Sequence, residues 1–233
     1  LYGFAMGGYG MFGIITELEM DMVPNSRLDP TYTTMPGKQF GEAFLKAIRE
    51  KPDIQMAYGR MDVTIDGFFD EALMITYKPN ADQSDIPAAA GSGFISKVSR
   101  GIFRQQPGSD RWKSLRWGIE AGLNPYISSG SSTRNSLMNE PVVTLDDKDP
   151  ARTDILHEYF VAPARFAEFV TACQEVIPSS FQELLNITLR FVDTDRFSVL
   201  NYAEEPRIAA VMLFSQEKSV RGEADMARMT SEL

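Results

Sequence analysis

Cysteine and histidine are almost absent. Cys173 is the only cysteine and His157 the only histidine in 233 residues. One cysteine rules out an intramolecular disulfide. One of each rules out a zinc site of Cys and His ligands within the chain. A Ser–His–Asp triad has only His157 to draw on, and no Gly-x-Ser-x-Gly turn presents a serine nucleophile. Positive charge is in deficit too. Against 32 Asp and Glu stand 23 Lys and Arg, a net charge of −9, which repels a phosphate backbone and argues against nucleic acid as a partner. No apolar run approaches the ~18 residues of a membrane-spanning helix. The start lacks the basic-then-apolar pattern of a signal peptide. The sequence thus reads as cytoplasmic, with no membrane span. It opens on Leu1, so it is expected to begin inside a larger coding sequence or after processing.

What remains is an ordinary globular composition, 43% apolar and 24% charged. A chain of this size forms one large domain or two small ones and buries roughly 70% of its unfolded surface. Residues 14–23 alternate, with Leu18, Met20 and Met22 opposite Glu17, Glu19 and Asp21, the pattern of a half-buried strand. A β-α-β-β order follows: a strand at 31–35, an amphipathic helix at 38–49, and strands at 54–65 and 71–78 joined by a turn at Asp66-Gly67. The order returns with a strand at 154–161, a helix at 164–177 opened by Pro163, and strands at 184–192 and 207–214. A last helix starts near Val220. Two such units predict an α+β fold, an antiparallel sheet of ferredoxin-like units with helices on one face. Between them lies an insertion at 79–136, with helical patterns at 94–105 and 111–122 and a flexible loop at 128–136. The DDKD run at 146–149 reads as solvent-facing. Cys173, among Phe166, Phe169, Val170 and Ile177, reads as a core residue rather than a nucleophile. Lys97, Arg100, Arg104, Arg111, Lys113 and Arg116 form a basic stretch in an acidic protein. It is either a solvated helix face or a contact for an anionic substrate group or acidic partner.

Gly8-Tyr9-Gly10-Met11-Phe12-Gly13 matches G-x-G-x-x-G. A dinucleotide fold needs a strand before this motif and a helix after it, whose N-terminus holds the pyrophosphate. Here an acidic strand pattern follows, so that reading fails. A glycine run also lets backbone amides approach an anionic or planar ligand.

The stretch AMGGYGMFGIITELEMDMVPN resembles the end of the FAD-binding domain in vanillyl-alcohol-oxidase-type flavoproteins, in the branch of aldonolactone oxidases, decaprenylphosphoryl-ribose oxidase and sterol Δ24-reductase. FFDEALMITYK, ILHEYFVAP, LLNITLRFV and AAVMLFSQ resemble strands of that family's cap domain. The resemblance spans most of the chain and is weakest in the insertion. It implies an FAD-dependent oxidoreductase, with residues 1–25 the edge of the FAD domain and 26–233 the substrate-binding cap. Gly8, Tyr9, Gly10, Gly13, Ile14 and Ile15 are the positions that would pass along FAD. An FAD lobe before Leu1 and a segment after Leu233, both of the same protein, would complete the site. The substrate implied is a sugar, polyol, aldonolactone or lipid-linked sugar alcohol.

Strand parity then selects residues. On 184–192, Leu185, Ile187, Leu189 and Phe191 share an apolar face, and Asn186, Thr188 and Arg190 the opposite one. The resemblance makes Arg190 a candidate anchor for substrate or reduced flavin, although the family often has an acidic or apolar residue where Thr188 stands. His157 and Tyr159 share a face and resemble the family's active-site pair on this strand. For His157 a hydrogen-bonded structural role stands equally open. Tyr58 and Arg60, two apart, could join the same pocket. Two other readings compete: a non-catalytic ferredoxin-like module that binds a small ligand, and a scaffold domain that associates through the basic insertion.

Overall fold

The computed structural model describes residues 1–88, 104–123, 132–139 and 149–233. A short helix, α1 (Tyr2–Met6), opens the chain. The first unit is β1 (Arg27–Pro36), α2 (Phe40–Glu50), β2 (Met56–Met61) and β3 (Glu71–Pro79). The insertion contributes α3 (Asp110–Trp117), a π turn at Gly118–Leu123, β4 (Ser132–Thr133) and α4 (Arg134–Met138). The second unit is β5 (Arg152–Val161), α5 (Phe166–Val176), β6 (Glu183–Val192) and β7 (Arg207–Glu217), followed by α6 (Val220–Glu232). The strands form one sheet in the order β4-β1-β3-β2-β6-β7-β5, every pair antiparallel. This is the α+β architecture expected from the two repeated patterns.

The units meet at β2–β6, through Gly59↔Leu189 and Arg60↔Thr188. Gly59 is needed there because a Cβ would lie 2.3 Å from Phe40 Cζ. The Phe40 ring fills that space and packs on Phe44 at 4.8 Å and Phe166 at 5.7 Å. One aromatic cluster from α2 and α5 thus seals both units. Ile187, Leu189, Met212, Phe214 and, from α6, Met229 complete this core, all fully buried.

Sequence and structure part in several places. Residues 14–23 form no strand, and residues 9–24 are exposed, Met22 at 86%. Alternation makes a strand only where a neighbour supplies ladder hydrogen bonds, and among the described residues none pairs with this stretch. The loop expected at 128–136 contains β4 and α4. Thr133 and Ser136 cap α4 reciprocally through their hydroxyls and backbone N–H groups, each 3.1 Å long. The helix expected at 94–105 lies outside the described residues apart from its last two positions, as do Lys97 and Arg100. Of the DDKD run only Asp149 is described, and it is exposed. In β6 a bulge between Leu184 and Asn186 shifts the register. It places Leu184, rather than Leu185, with Ile187 and Leu189 in the helix-side core.

The helices of the two units cover one face, as expected, and the insertion takes part of the other. There Leu28, Leu73, Ile75 and Tyr77 form a second apolar cluster, against which Trp117 of α3 and Leu137 of α4 pack. No helix among the described residues is long and apolar enough to cross a membrane.

Candidate functional site

Strand parity brings four of the sequence-selected residues together at mid-sheet, on the face away from α2 and α5. Arg60 of β2 donates from Nη1 to Asn186 Oδ1 at 3.2 Å and to the Thr188 hydroxyl. Its guanidinium carbon lies 5.3 Å from the centre of the Tyr58 ring. Tyr58 stacks on Tyr77 at 6.3 Å. Burial pushes both phenols above their ordinary range; the Arg60 charge works against this at Tyr58. Both therefore stay neutral.

Sequence parity did not single out Arg116, which closes this cluster from α3. Its Nη2 donates to Asn186 Oδ1 at 2.6 Å, its Nη1 to the Leu185 carbonyl, and its Nε to Glu120 at 3.0 Å. Burial lowers the Arg116 pKa, Glu120 opposes that shift, and the neighbouring Arg60 charge adds to it. Apart from Arg111, the described part of the basic stretch is therefore no solvated face. Arg104 forms a two-pronged pair with Asp154 at 3.1 and 2.8 Å, and Lys113 reaches Glu183 at 3.0 Å. The side chains of Arg104, Lys113 and Arg116 are 15%, 9% and 13% exposed. These cations fasten the insertion to carboxylates and carbonyls of the sheet, while Arg111 faces solvent.

Arg190 stands two residues beyond Thr188 on the same side of β6. It is exposed, with no hydrogen bond or ion pair among the described residues. His157 and Tyr159 do not join it. Their cross-strand partners are Met212 and Ala210, which belong to the helix-side core, so the pair points to the opposite face from Arg60 and Thr188. His157 Nδ1 lies 3.3 Å from the Tyr159 hydroxyl. The imidazole packs edge-on to Phe214 at 5.6 Å, and the Tyr159 ring lies 5.8 Å from Phe169. Burial holds His157 below its ordinary value and raises Tyr159. The single site drawn from parity is thus divided, because β5 pairs at the far edge of the sheet and turns these two side chains to the helix side. Cys173 is buried and its thiol pushed up by desolvation, which keeps it protonated and unreactive.

The glycine turn follows α1. Met11 N–H donates to the Gly8 carbonyl at 2.9 Å, and Tyr9 and Gly10 take φ of 51° and 75°. Nothing lies within 4 Å of a Cβ placed on Gly10 or Gly13, and Ile14 and Ile15 are 92% and 55% exposed. The loop between β6 and β7 anchors α1 through Val199 N–H to Gly3 O, 3.2 Å, and Leu200 N–H to Gly7 O, 3.3 Å. From the same loop Tyr202 packs on Phe160 of β5 at 4.3 Å. Residues 1–26 contain no Lys or Arg, and a five-residue helix has little dipole to offer a pyrophosphate. Tyr9, Gly10, Gly13, Ile14 and Ile15 are exposed, whereas Gly8 is buried, with Phe4 O and the Phe12 ring where a Cβ would stand. The described residues alone do not make a complete FAD site. Two concave regions, of about 510 Å³ beside Glu42 and Arg49 and about 110 Å³ beside Phe181 and Arg221, include none of these residues.

In comparisons with known proteins the chain matches no family model and no curated protein.

Proposed function

We propose that the chain is the substrate-side wall of an FAD-dependent oxidoreductase acting on CH–OH groups, completed by an FAD-binding lobe of the same protein. The observation that carries this reading is the polar cluster of Tyr58, Arg60, Asn186 and Thr188, set mid-sheet on the face turned away from α2 and α5. A sheet with helices on one face normally keeps its other face for solvent or for a partner. The exposed apolar turn at 9–15 supports the same reading as an edge against which a flavin ring would rest. Bound flavin would supply the hydride acceptor. The chain's own residues orient the substrate: Asn186 and Thr188 offer neutral hydrogen bonds, Arg60 and Arg190 charged donors, and the ring of Tyr58 a flat apolar wall.

Arg190→Ala in the full-length protein tests this reading. A charge-assisted hydrogen bond of about 1.5–3 kcal/mol corresponds to a fall of about ten- to a hundredfold in kcat/KM for the alcohol substrate. Bound flavin should be retained. Unchanged kinetics would remove Arg190 from the site. A folded full-length protein that takes up no FAD would shift the reading to a small-ligand-binding module.

A further inference from the structure

Charge on the open face is unbalanced. Among the described residues Arg116 is met by Glu120, whereas Arg60 is paired with no carboxylate. Its hydrogen bonds go to neutral oxygens of Asn186 and Thr188, both made by Nη1. Nε and Nη2 remain as donors, since a guanidinium carries five N–H groups. Arg60 and Arg116 both point at Asn186 Oδ1, at 3.2 and 2.6 Å, so two like charges share one neutral acceptor. Arg190 adds a third cation. Arg60 is paired across the strands with Thr188, which sets Arg190 on its diagonal, about 7–8 Å away in backbone spacing. In a chain of net charge −9, the carboxylates described on this patch are Glu120, paired with Arg116, and Glu71, diagonal to Arg60 on β3 and held by Trp117 Nε1 at 3.0 Å, so three guanidiniums still leave a local positive surplus. A neutral sugar does not require that surplus. An oxyanion does, because a guanidinium binds it by two parallel hydrogen bonds.

We propose that Arg60 and Arg190 form a binding site for an anionic group on the substrate, a carboxylate or a phosphate. This rests on the reading of the open face as the substrate wall. Arg116 is the back of the site: Glu120 and Asn186 hold it in place, and its charge adds to the field without reaching the ligand. Asn186 and Thr188 orient Arg60, so they are positioning residues. The substrate class narrows from alcohols in general to alcohols that carry an acidic group.

The test is a titration of the 233-residue chain, without flavin, with sodium phosphate and separately with sodium succinate, against sodium chloride at matched ionic strength. Thermal unfolding and the Arg Nε–H signals in a proton–nitrogen NMR spectrum are the readouts. The expected result is saturable stabilisation by at least one oxyanion beyond that of chloride, with Arg Nε–H shifts. Arg60→Gln and Arg190→Gln should each weaken it about tenfold or more, and Lys46→Gln on α2 should leave it unchanged. Stronger binding of phosphate or of succinate supports the site and names the headgroup. Arg190 is exposed, so its variant keeps the test sound if Arg60→Gln fails to fold. Oxyanions no better than chloride, or variants that bind as the parent does, would overturn the proposal. Oxyanion binding by a protein that takes up no FAD would retain the site and remove the oxidoreductase reading. FAD uptake and alcohol oxidation without oxyanion binding would do the reverse.

Discussion

The two faces of the sheet are made by alternate residues of the same strands, yet they do opposite work. On β6 the helix-side face presents Leu184, Ile187 and Leu189 to a fully apolar core. One residue along, Asn186 and Thr188 enter a hydrogen-bonded network with two arginines. The helix-side face is closed by aromatic rings from α2 and α5, and where it meets polar groups, at His157 and Tyr159, burial keeps both neutral. The other face is only partly covered: Arg190 is exposed and Arg60 half-buried, while Arg116 is largely buried under the insertion. On the proposed reading a strand serves stability and recognition at once, because the period of two separates the requirements. A residue's face decides which of the two it serves.

The largest effect should come from the closed face. Phe166→Ala removes a ring that is 1% exposed and touches Phe40 across the seam between the units. A loss of about 3–5 kcal/mol is expected from denaturant unfolding. On the other face Arg116→Ala should cost about 2 kcal/mol, since Glu120 and the Leu185 carbonyl lose this donor and Asn186 keeps only Arg60. It should also loosen the docking of α3, seen as faster amide exchange over residues 110–117. If Arg116→Ala were as damaging as Phe166→Ala, the division of labour between the faces would fail.

A smaller effect concerns pH. Folding depresses the His157 pKa from 6.5, so the folded state favours the neutral ring. Above that value the ring is neutral in both states and has no influence. As pH falls below 6.5 the unfolded chain takes up the proton first, and stability declines until pH passes the lower folded value. His157→Gln should remove that part of the decline in a series of unfolding curves. Smallest is the stability effect of Arg190→Ala, within about 0.5 kcal/mol for an exposed side chain without partners, beside a large loss of turnover. A stability loss as large as the kinetic one would mark Arg190 as structural.

Much of this was legible in the residues. The helix periodicities around Phe40 and Phe166, the apolar runs of β2, β3 and β7 and the parity on β6 give the two units and their antiparallel sheet, because burial writes its pattern into the sequence. Four candidate side chains, Tyr58, Arg60, Asn186 and Thr188, were reachable from parity alone. Parity within one strand does not say which face neighbours which across a sheet, so His157 and Tyr159 were grouped with Arg190 when the pairing of β5 with β7 sends them to the other side. The bulge at Leu184–Asn186 leaves no mark in the hydrophobic pattern, since both Leu184 and Leu185 are buried. Arg116 was visible as one cation of a basic stretch. Its contact with Asn186 joins residues 70 apart, and no local pattern encodes that. The stretch 14–23 misled because alternation records an amphipathic segment whether or not a neighbouring strand is there to pair with it.

The most direct measurement is the visible absorption spectrum of the full-length protein, purified without added flavin and again after incubation with FAD, then mixed anaerobically with acid-bearing sugar alcohols. The account predicts a flavin band that bleaches on mixing, and bleaching that slows in Arg190→Ala while the band itself is retained. A folded protein with no flavin band under either condition would contradict it.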